Sequence, residues 1–502
     1  FSSKMSKKHD KDSYSHILKY TSLFGGVQGL GILVGIIRNK LIAVILGPQG
    51  MGLVSLFNST IKLVSDSTNF GISMSAVKNI SEEYDRGNHE LIARSVAIVR
   101  LWSLLAALLG TFLCVILSPL LSRFTFSWDG HTLHFVCLSP IVGLLAITGG
   151  ELAILKGLRK LRGLATVSIY NVLSALLISV PIYYVFGQQG IVPSLLLMAL
   201  AQTIVTIAYS CKQFPYRVYF NKDLLGSGFD MIKLGVAFVV AGMLGSGADF
   251  LIRSYLNNVG QIETVGLYNA GFMMTMTYVG MVFSAMETDY FPRLSGVNNL
   301  GVTFNETVNR QIEVMLLLVS PLLVAFMIAL PILLPLLYSG KFLPALGMMQ
   351  VVVLVMYFRA LKLPVQYIPL AKGDSRSYLL LEAIYDILLV ALVVVLFHYK
   401  GLTGAGVAIL IAGVTDFVVV FIYARWRYGY RPSHRVMIYT LYQLPFGLLA
   451  YVLTFVAQPV LYWLGGIALT LVSVWVSLAI LRNKSDLQQG LLAKIKSKFL
   501  HQ

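Results

Sequence analysis

Charge is scarce in this sequence. Asp, Glu, Lys and Arg together make up 12% of 502 residues, against about a quarter in ordinary soluble domains. A chain so poor in charge and 57% hydrophobic is excluded from the soluble and disordered classes. Cysteine is nearly absent: Cys114, Cys137 and Cys211 all lie in or at the ends of apolar runs, which excludes a disulfide framework. None of the eight histidines falls in the middle of an apolar run. His131 and His134 share a short connection without further ligands nearby, so no metal centre and no cofactor are expected. Nucleotide-binding glycine loops and a nucleophile elbow are missing, which excludes an ATP-driven pump in this chain. A membrane enzyme of glycan assembly would display carboxylates or histidines in a sizeable outer loop; here only Asp129 stands in the first long one. The apolar runs are continuous rather than alternating, which excludes a transmembrane β-barrel.

What the chain does have is length in its apolar runs. Many reach the ~20 residues that a helix needs to cross a bilayer. Spans are expected near 16–37, 51–76, 94–117, 133–155, 164–186, 190–211, 230–252, 264–286, 310–337, 344–370, 377–398, 403–424, 436–458 and 462–481. The fold class is therefore an all-α polytopic membrane protein of about fourteen transmembrane helices. No cleavable leader is expected, because the polar, basic start runs into a full-length span. The net charge of +17 does not point to nucleic acid, because the cations sit in short loops. On this layout 28 of the 39 Lys and Arg fall on the side of the N-terminus and six on the other. The positive-inside rule then places both termini in the cytoplasm. The longest cytoplasmic loop is expected over 287–309.

The second half of the chain repeats the first. Gly52-Leu53 returns as Gly266-Leu267, Lys156-Gly157 as Lys372-Gly373, Ile169-Tyr170-Asn171 as Ile384-Tyr385-Asp386, and Arg38 as Arg253. Several matches at offsets of 214 to 216 positions indicate an internal parallel repeat. The expected organisation is a cytoplasmic segment 1–15, a six-helix bundle 16–225, a second six-helix bundle 226–430, two extra helices 431–481 and a basic cytoplasmic tail 482–502. In transporters of this plan the substrate site tends to lie between the repeats, around a central cavity.

Charges inside a bilayer usually face protein or a water-filled cavity. Five cations are candidates to line a cavity for an anionic headgroup: Arg38, Lys62, Arg253, Arg359 and Lys362. Arg suits phosphate because its planar fork makes paired hydrogen bonds. Lys62–Asp66 and Asp249–Arg253 have i,i+4 spacing and could equally be local ion pairs. Arg359 and Lys362, three apart and of one sign, need an anion or acids on a neighbouring helix; Glu382 and Asp386 are available. Glu151 completes the in-span acids. Asp66, Asp249, Glu313, Asp386 and Asp416 are the candidates to titrate or bind a coupling ion.

One compact corner carries a resemblance. Arg38 is followed by Leu46-Gly47-Pro48-Gln49-Gly50-Met51-Gly52-Leu53 and then by Asn69-Phe70-Gly71-Ile72. With the basic start, the Gly-rich first span and the two six-helix halves, this resembles the polysaccharide transporters of the multidrug/oligosaccharidyl-lipid/polysaccharide exporter superfamily, in particular the Wzx-type O-antigen flippases. The resemblance implies a bacterial inner-membrane flippase, not an enzyme. Such proteins move undecaprenyl-diphosphate-linked oligosaccharide from the cytoplasmic to the periplasmic leaflet by alternating access. The implied partners are that lipid-linked oligosaccharide, membrane lipids and polysaccharide polymerase or assembly proteins, with no nucleic acid. Within the same architecture, a cation-coupled multidrug exporter is the alternative. It would favour carboxylates in its cavity.

Overall fold

Glycine and proline punctuate the helices. In the computed structural model the chain forms α1 (Ser2–Thr68), α2 (Ile72–Asp85), α3 (His89–Thr125), α4 (Thr132–Gly157), α5 (Leu161–Phe186), α6 (Ile191–Cys211), α7 (Lys222–Val259) and α8 (Ile262–Phe272). These are followed by α9 (Gly280–Ser295), α10 (Val302–Leu337), α11 (Leu346–Ala371), α12 (Ser375–Tyr428), α13 (His434–Leu453) and α14 (Pro459–Lys484). The structure describes residues 2–126, 130–215, 218, 222–297 and 300–484. For 2–28, 74, 85, 161, 284–289, 292, 482–484 and scattered positions between 222 and 238 it describes backbone alone. Asp129 and nearly all of the basic tail lie outside the described residues. Among those residues no strand forms.

The protein is an all-α, multi-pass membrane protein. Among the described residues, nine helical stretches are long and apolar enough to cross a bilayer. Three of them, Gly29–Thr68, Arg162–Cys211 and Ser375–Tyr428, each contain two of the expected spans, so the nine account for twelve. The other two expected spans, 230–252 and 264–286, fall on α7 and on α8 and α9. Span boundaries moved in two places. The second span ends at Thr68 rather than near residue 76, because Asn69–Gly71 breaks the helix. The cytoplasmic loop expected over 287–309 shrinks to the few residues after Ser295, because α9 and α10 both extend into it.

The paired spans turn at glycines. In α1 the helix bends at Gly47 (φ 65°). Gly187 (φ 55°, ψ −133°) separates α5 from α6, and Gly401 (φ 56°, ψ −139°) divides α12. The last two lie 214 positions apart and share a conformation that side chains avoid. Three residues on, a Cβ on Gly190 or on Gly404 would meet the carbonyl of Ile182 or of Leu396 respectively. The same offset separates Arg159 (φ 53°) from Gly373 (φ 73°). The repeat read from the sequence is thus written in the backbone as well.

Packing gathers the chain into two units, Phe1–Gly266 with Leu336–Lys341, and Leu267–Pro335 with Phe342–Gln502. By packing, α7 belongs to the first unit, although the sequence repeat sets it at the head of the second half. In the first unit α3 and α4 form a close antiparallel pair. A Cβ on Gly110 would come within 2.7 Å of Val142, and one on Gly143 within 2.6 Å of Thr111. A hydrophobic core of this unit joins Ile72, Ile80, Val96, Val99, Ile154 and Leu224. In the second unit α11 is the central helix, with Val351 to Tyr357 all buried. Gly413 of α12 packs on Val355, and Gly447 of α13 on the Tyr357 ring. Tyr462 of α14 donates to the Ile328 carbonyl at 2.8 Å.

Candidate functional site

The break between α1 and α2 borders a cavity. The Asn69 side chain accepts from the Gly71 amide at 2.8 Å, while Phe70 (φ 54°) and Gly71 (φ 66°) take left-handed conformations. A phenylalanine held there costs about 1 kcal/mol or more, so the surroundings must enforce it. The Gly235 backbone of α7 lies against Gly71 too closely for a Cβ on either residue. The break opens a cavity of about 260 Å³ lined by Lys62, Ser65, Asp66, Asn69 and Ser73, with Gly149 and Gly150 of α4 forming a smooth wall. Lys62 is exposed into it and closes no ion pair among the described residues.

The structure sorts the other expected cations into two kinds. Two are neutralised. Arg253, 7% exposed, is ion-paired with Asp249 one turn back and donates to Ser55 Oγ of α1 at 2.7 Å. Lys362 is ion-paired with Asp416 and lies 5.3 Å from the Tyr385 ring centroid. Two others bind uncharged groups. Arg38 donates to Ser179 Oγ of α5 at 2.9 Å and to Met198 Sδ of α6 at 3.4 Å. Arg359 donates to the Met276 carbonyl at 3.4 Å and lies 5.7 Å from the Phe283 ring centroid. Met276 belongs to a π-helical turn, Met273–Tyr278, a local unwinding often found at working sites.

The acids divide in the same way. Asp249 and Asp416 are held by their cations. Glu313 accepts from Ser433 Oγ at 3.3 Å. It works with Asn309, which binds Tyr430, Ser433 and the Arg431 carbonyl, to fasten the connection between α12 and α13. Glu382 accepts from Gln366, and Asp386 stands within electrostatic reach of Glu382, Asp416 and Lys362. Asp66 faces the cavity with Lys62. The neighbour that balances Lys362 is therefore Asp416 rather than Glu382 or Asp386, because the turn at Gly401 folds the second half of α12 back alongside α11. No group of three or more His, Cys, Asp or Glu among the described residues is placed to hold a metal ion.

Sequence reasoning missed one buried pair. Arg100 of α3 binds Glu151 of α4 through two contacts, Nε to Oε1 at 2.9 Å and Nη2 to Oε2 at 3.2 Å, with both side chains 2% exposed. The same guanidinium donates to Ser210 and to the Phe214 and Pro215 carbonyls, fixing the chain that leaves α6. Opposite charges at similar depth in consecutive spans were the available signal. His131 and His134 are not a free loop: the His131 ring stacks on Phe126 at 3.9 Å, and both lie within 6.2 Å of the Phe57 ring. Burial and the neighbouring His134 hold the His131 imidazole below its usual range.

Residues 17–298, more than half of the chain, match the family model described as Polysaccharide biosynthesis protein. The chain is similar to Stage V sporulation protein B of Bacillus subtilis (strain 168), 21% identical over 189 residues that cover 37% of this chain and 36% of that protein. The match thus spans about a third of the relative's length. Among solved structures, the lipid II flippase MurJ in an inward closed conformation superposes with a TM-score of 0.69 at 14% identity, over 92% of this chain and 99% of that one. An inward-facing multidrug resistance MATE family transporter of the MOP superfamily gives 0.65 at 14% identity, over 80% and 94%. At such identities the likeness establishes the fold.

Proposed function

We propose, for a chain that belongs to the polysaccharide biosynthesis protein family, that it is a flippase for undecaprenyl-diphosphate-linked oligosaccharide, carrying repeat units from the cytoplasmic to the periplasmic leaflet for surface polysaccharide assembly. The observation that carries this reading is Lys62. It is an ammonium open to a cavity within a membrane span, closing no ion pair among the described residues, with Ser65, Asp66, Asn69 and Ser73 beside it. A diphosphate cannot cross hydrocarbon unaided, because an unpaired buried charge is too costly. A cation with hydroxyl and amide donors replaces part of its hydration while the prenyl tail stays in lipid. No bond is broken, so the protein acts as a transporter and not as an enzyme, and turnover needs only a substrate-dependent shift between two states.

The two six-helix repeats, 16–225 and 226–430, supply those states by alternating access. Both termini face the cytoplasm of a bacterial inner membrane, and polysaccharide polymerase or assembly proteins are the partners that receive the product. Arg38 and Arg359, bound here to uncharged groups, are the next cations available to an anionic headgroup. Arg253 and Lys362 act as positioning cations, fastened to Asp249 and Asp416. Of the five acids named as coupling candidates, Asp66 and Asp386 close no ion pair among the described residues and are the first to test for coupling to an ion. The reading is supported by the likeness in fold to MurJ, a lipid II flippase. The second reading, a cation-coupled multidrug exporter, is favoured by Asp66, a carboxylate in the same cavity.

Reconstituted protein should move a fluorescent undecaprenyl-diphosphate glycan between leaflets. Transport of a cationic dye with no movement of any glycan would transfer the assignment to the second reading.

A further inference from the structure

Helix α4 carries four glycines, and packing requires three of them. A Cβ on Gly143, Gly150 or Gly157 would land within 2.7 Å of Thr111, Ser103 or Ile80 respectively. A Cβ on Gly149 would meet nothing within 4 Å, because that position borders the cavity beside Lys62. Its backbone is helical, without a positive φ, so no turn demands glycine there either. Glycine in a helix interior is less stable than alanine. Gly149 therefore carries a cost that neither packing nor backbone geometry explains. The two sides of the cavity also differ in chemistry. Leu145, Ala146 and Gly149 of α4 make one side flat and apolar, while Ser65, Asn69 and Ser73 stand with Lys62 on the polar side. Asn69 uses its side-chain oxygen at the helix break, which leaves its NH2 group to donate. A pyranose ring has the same two aspects, carbon-bound hydrogens on its face and hydroxyls at its edge.

We propose that Gly149 is a specificity-determining residue, whose missing side chain keeps room for the sugar ring joined to a diphosphate at Lys62. The proposal rests on the reading of the cavity as the headgroup site and adds what that site selects. Lys62 takes the charge, which every lipid diphosphate has in common. The bare α4 backbone takes the apolar face of the ring, and Asn69 and Ser73 take its hydroxyls. The cavity measures about 260 Å³, below the ~300 Å³ at which pockets for drug-sized ligands begin. It has room for one ring and not for a whole repeat unit, so selection reads the first sugar alone. A lipid diphosphate without a ring leaves the α4 wall uncovered and is held less tightly, so the loaded lipid is chosen over the unloaded one.

The test is calorimetric binding to the purified full-length protein, in wild type, Gly149→Ala and Gly149→Leu. The probes are farnesyl diphosphate and farnesyl diphosphate bearing a single glucose, galactose or N-acetylglucosamine. Wild type should bind at least one sugar-bearing probe about threefold or more tighter than the bare one. Gly149→Leu should bind the bare probe within about twofold of wild type and the sugar-bearing probe roughly tenfold or more weaker, as expected when a pocket is narrowed by a side chain. Gly149→Ala should lose sugar-bearing probe in the same direction but by less. It should also raise the unfolding temperature by about 1–2 °C, because alanine is the better helix former and meets no neighbour there. A variant more stable than wild type cannot owe weaker binding to misfolding. Equal affinity of wild type for bare and sugar-bearing probes, an equal loss of both in Gly149→Leu, undiminished sugar binding in Gly149→Leu, or a lower unfolding temperature in Gly149→Ala overturns the proposal and leaves the headgroup reading standing. No binding of farnesyl diphosphate by wild type contradicts the headgroup reading itself and the proposal with it.

Discussion

At the residue scale, identical charges have different roles because their neighbours differ. Lys62→Ala removes a side chain that faces a cavity and closes no ion pair among the described residues. It should therefore lower glycan flipping while leaving membrane insertion and thermal stability near those of wild type. Arg253→Ala should lower both, because it strips Asp249 of its cation and unfastens α7 from Ser55. Measuring transport together with the unfolding temperature in detergent separates the two. Arg100→Ala should be more damaging still: breaking a buried pair costs about 3–5 kcal/mol. Replacing both partners, as in Arg100→Met with Glu151→Leu, should recover much of the loss. Asp374 provides a pH test outside the spans. Its carboxylate accepts from the Ser377 hydroxyl at 2.7 Å and amide at 3.1 Å and from the Tyr428 hydroxyl at 2.9 Å. Chiefly the Ser377 bonds, with smaller help from Tyr428 and Arg427, hold it below the ordinary carboxylate range. A depressed folded value means that its contribution is complete above the unfolded value, about 3.9, and is lost as pH falls through the folded one. The unfolding temperatures of wild type and Asp374→Asn should differ at neutral pH and converge in acid below that window.

At the scale of elements, the repeat makes paired predictions. Gly187 and Gly401 hold one unusual conformation at equivalent positions. Gly187→Ala and Gly401→Ala should therefore each destabilise the protein by a similar amount, of order 1–3 kcal/mol, read as matched falls in unfolding temperature. A fall in only one would break the equivalence. Arg159 occupies the left-handed turn position that Gly373 fills in the second half, and Arg159→Gly should relax it. These elements were largely legible in the sequence. Apolar length marked the spans, and the recurrence of Gly52-Leu53, Lys156-Gly157 and Ile169-Tyr170 marked the repeat. The break at Asn69–Gly71 had local signals in the polar run Ser65-Asp66-Ser67-Thr68 and in Asn69 and Gly71 themselves, but what enforces it was not legible. It depends on the close approach of Gly235, more than 160 positions away. The continuation of α9 and α10 into the expected loop was hidden for a related reason, since polar helical ends outside the bilayer lack an apolar signature.

At the scale of the whole molecule, the sequence identified which residues are charged within the spans but not which of them are already satisfied. Lys362 and Asp416 lie 54 positions apart, and only the fold-back of α12 at Gly401 brings them together. Arg100 and Glu151 meet through the α3–α4 pair. Lys62 was marked by its place in mid-span, but its distinction from Arg253 comes from packing alone. What unites the account is that a polar break in a membrane helix exposes Lys62, which closes no ion pair among the described residues, to a cavity of about 260 Å³. The most direct measurement is the leaflet accessibility of a fluorescent undecaprenyl-diphosphate glycan in proteoliposomes, comparing wild type with Lys62→Ala at equal incorporation. Protein-dependent movement that falls sharply in Lys62→Ala is the predicted result. Equal movement in both proteins, or none in wild type with any glycan, would contradict the account.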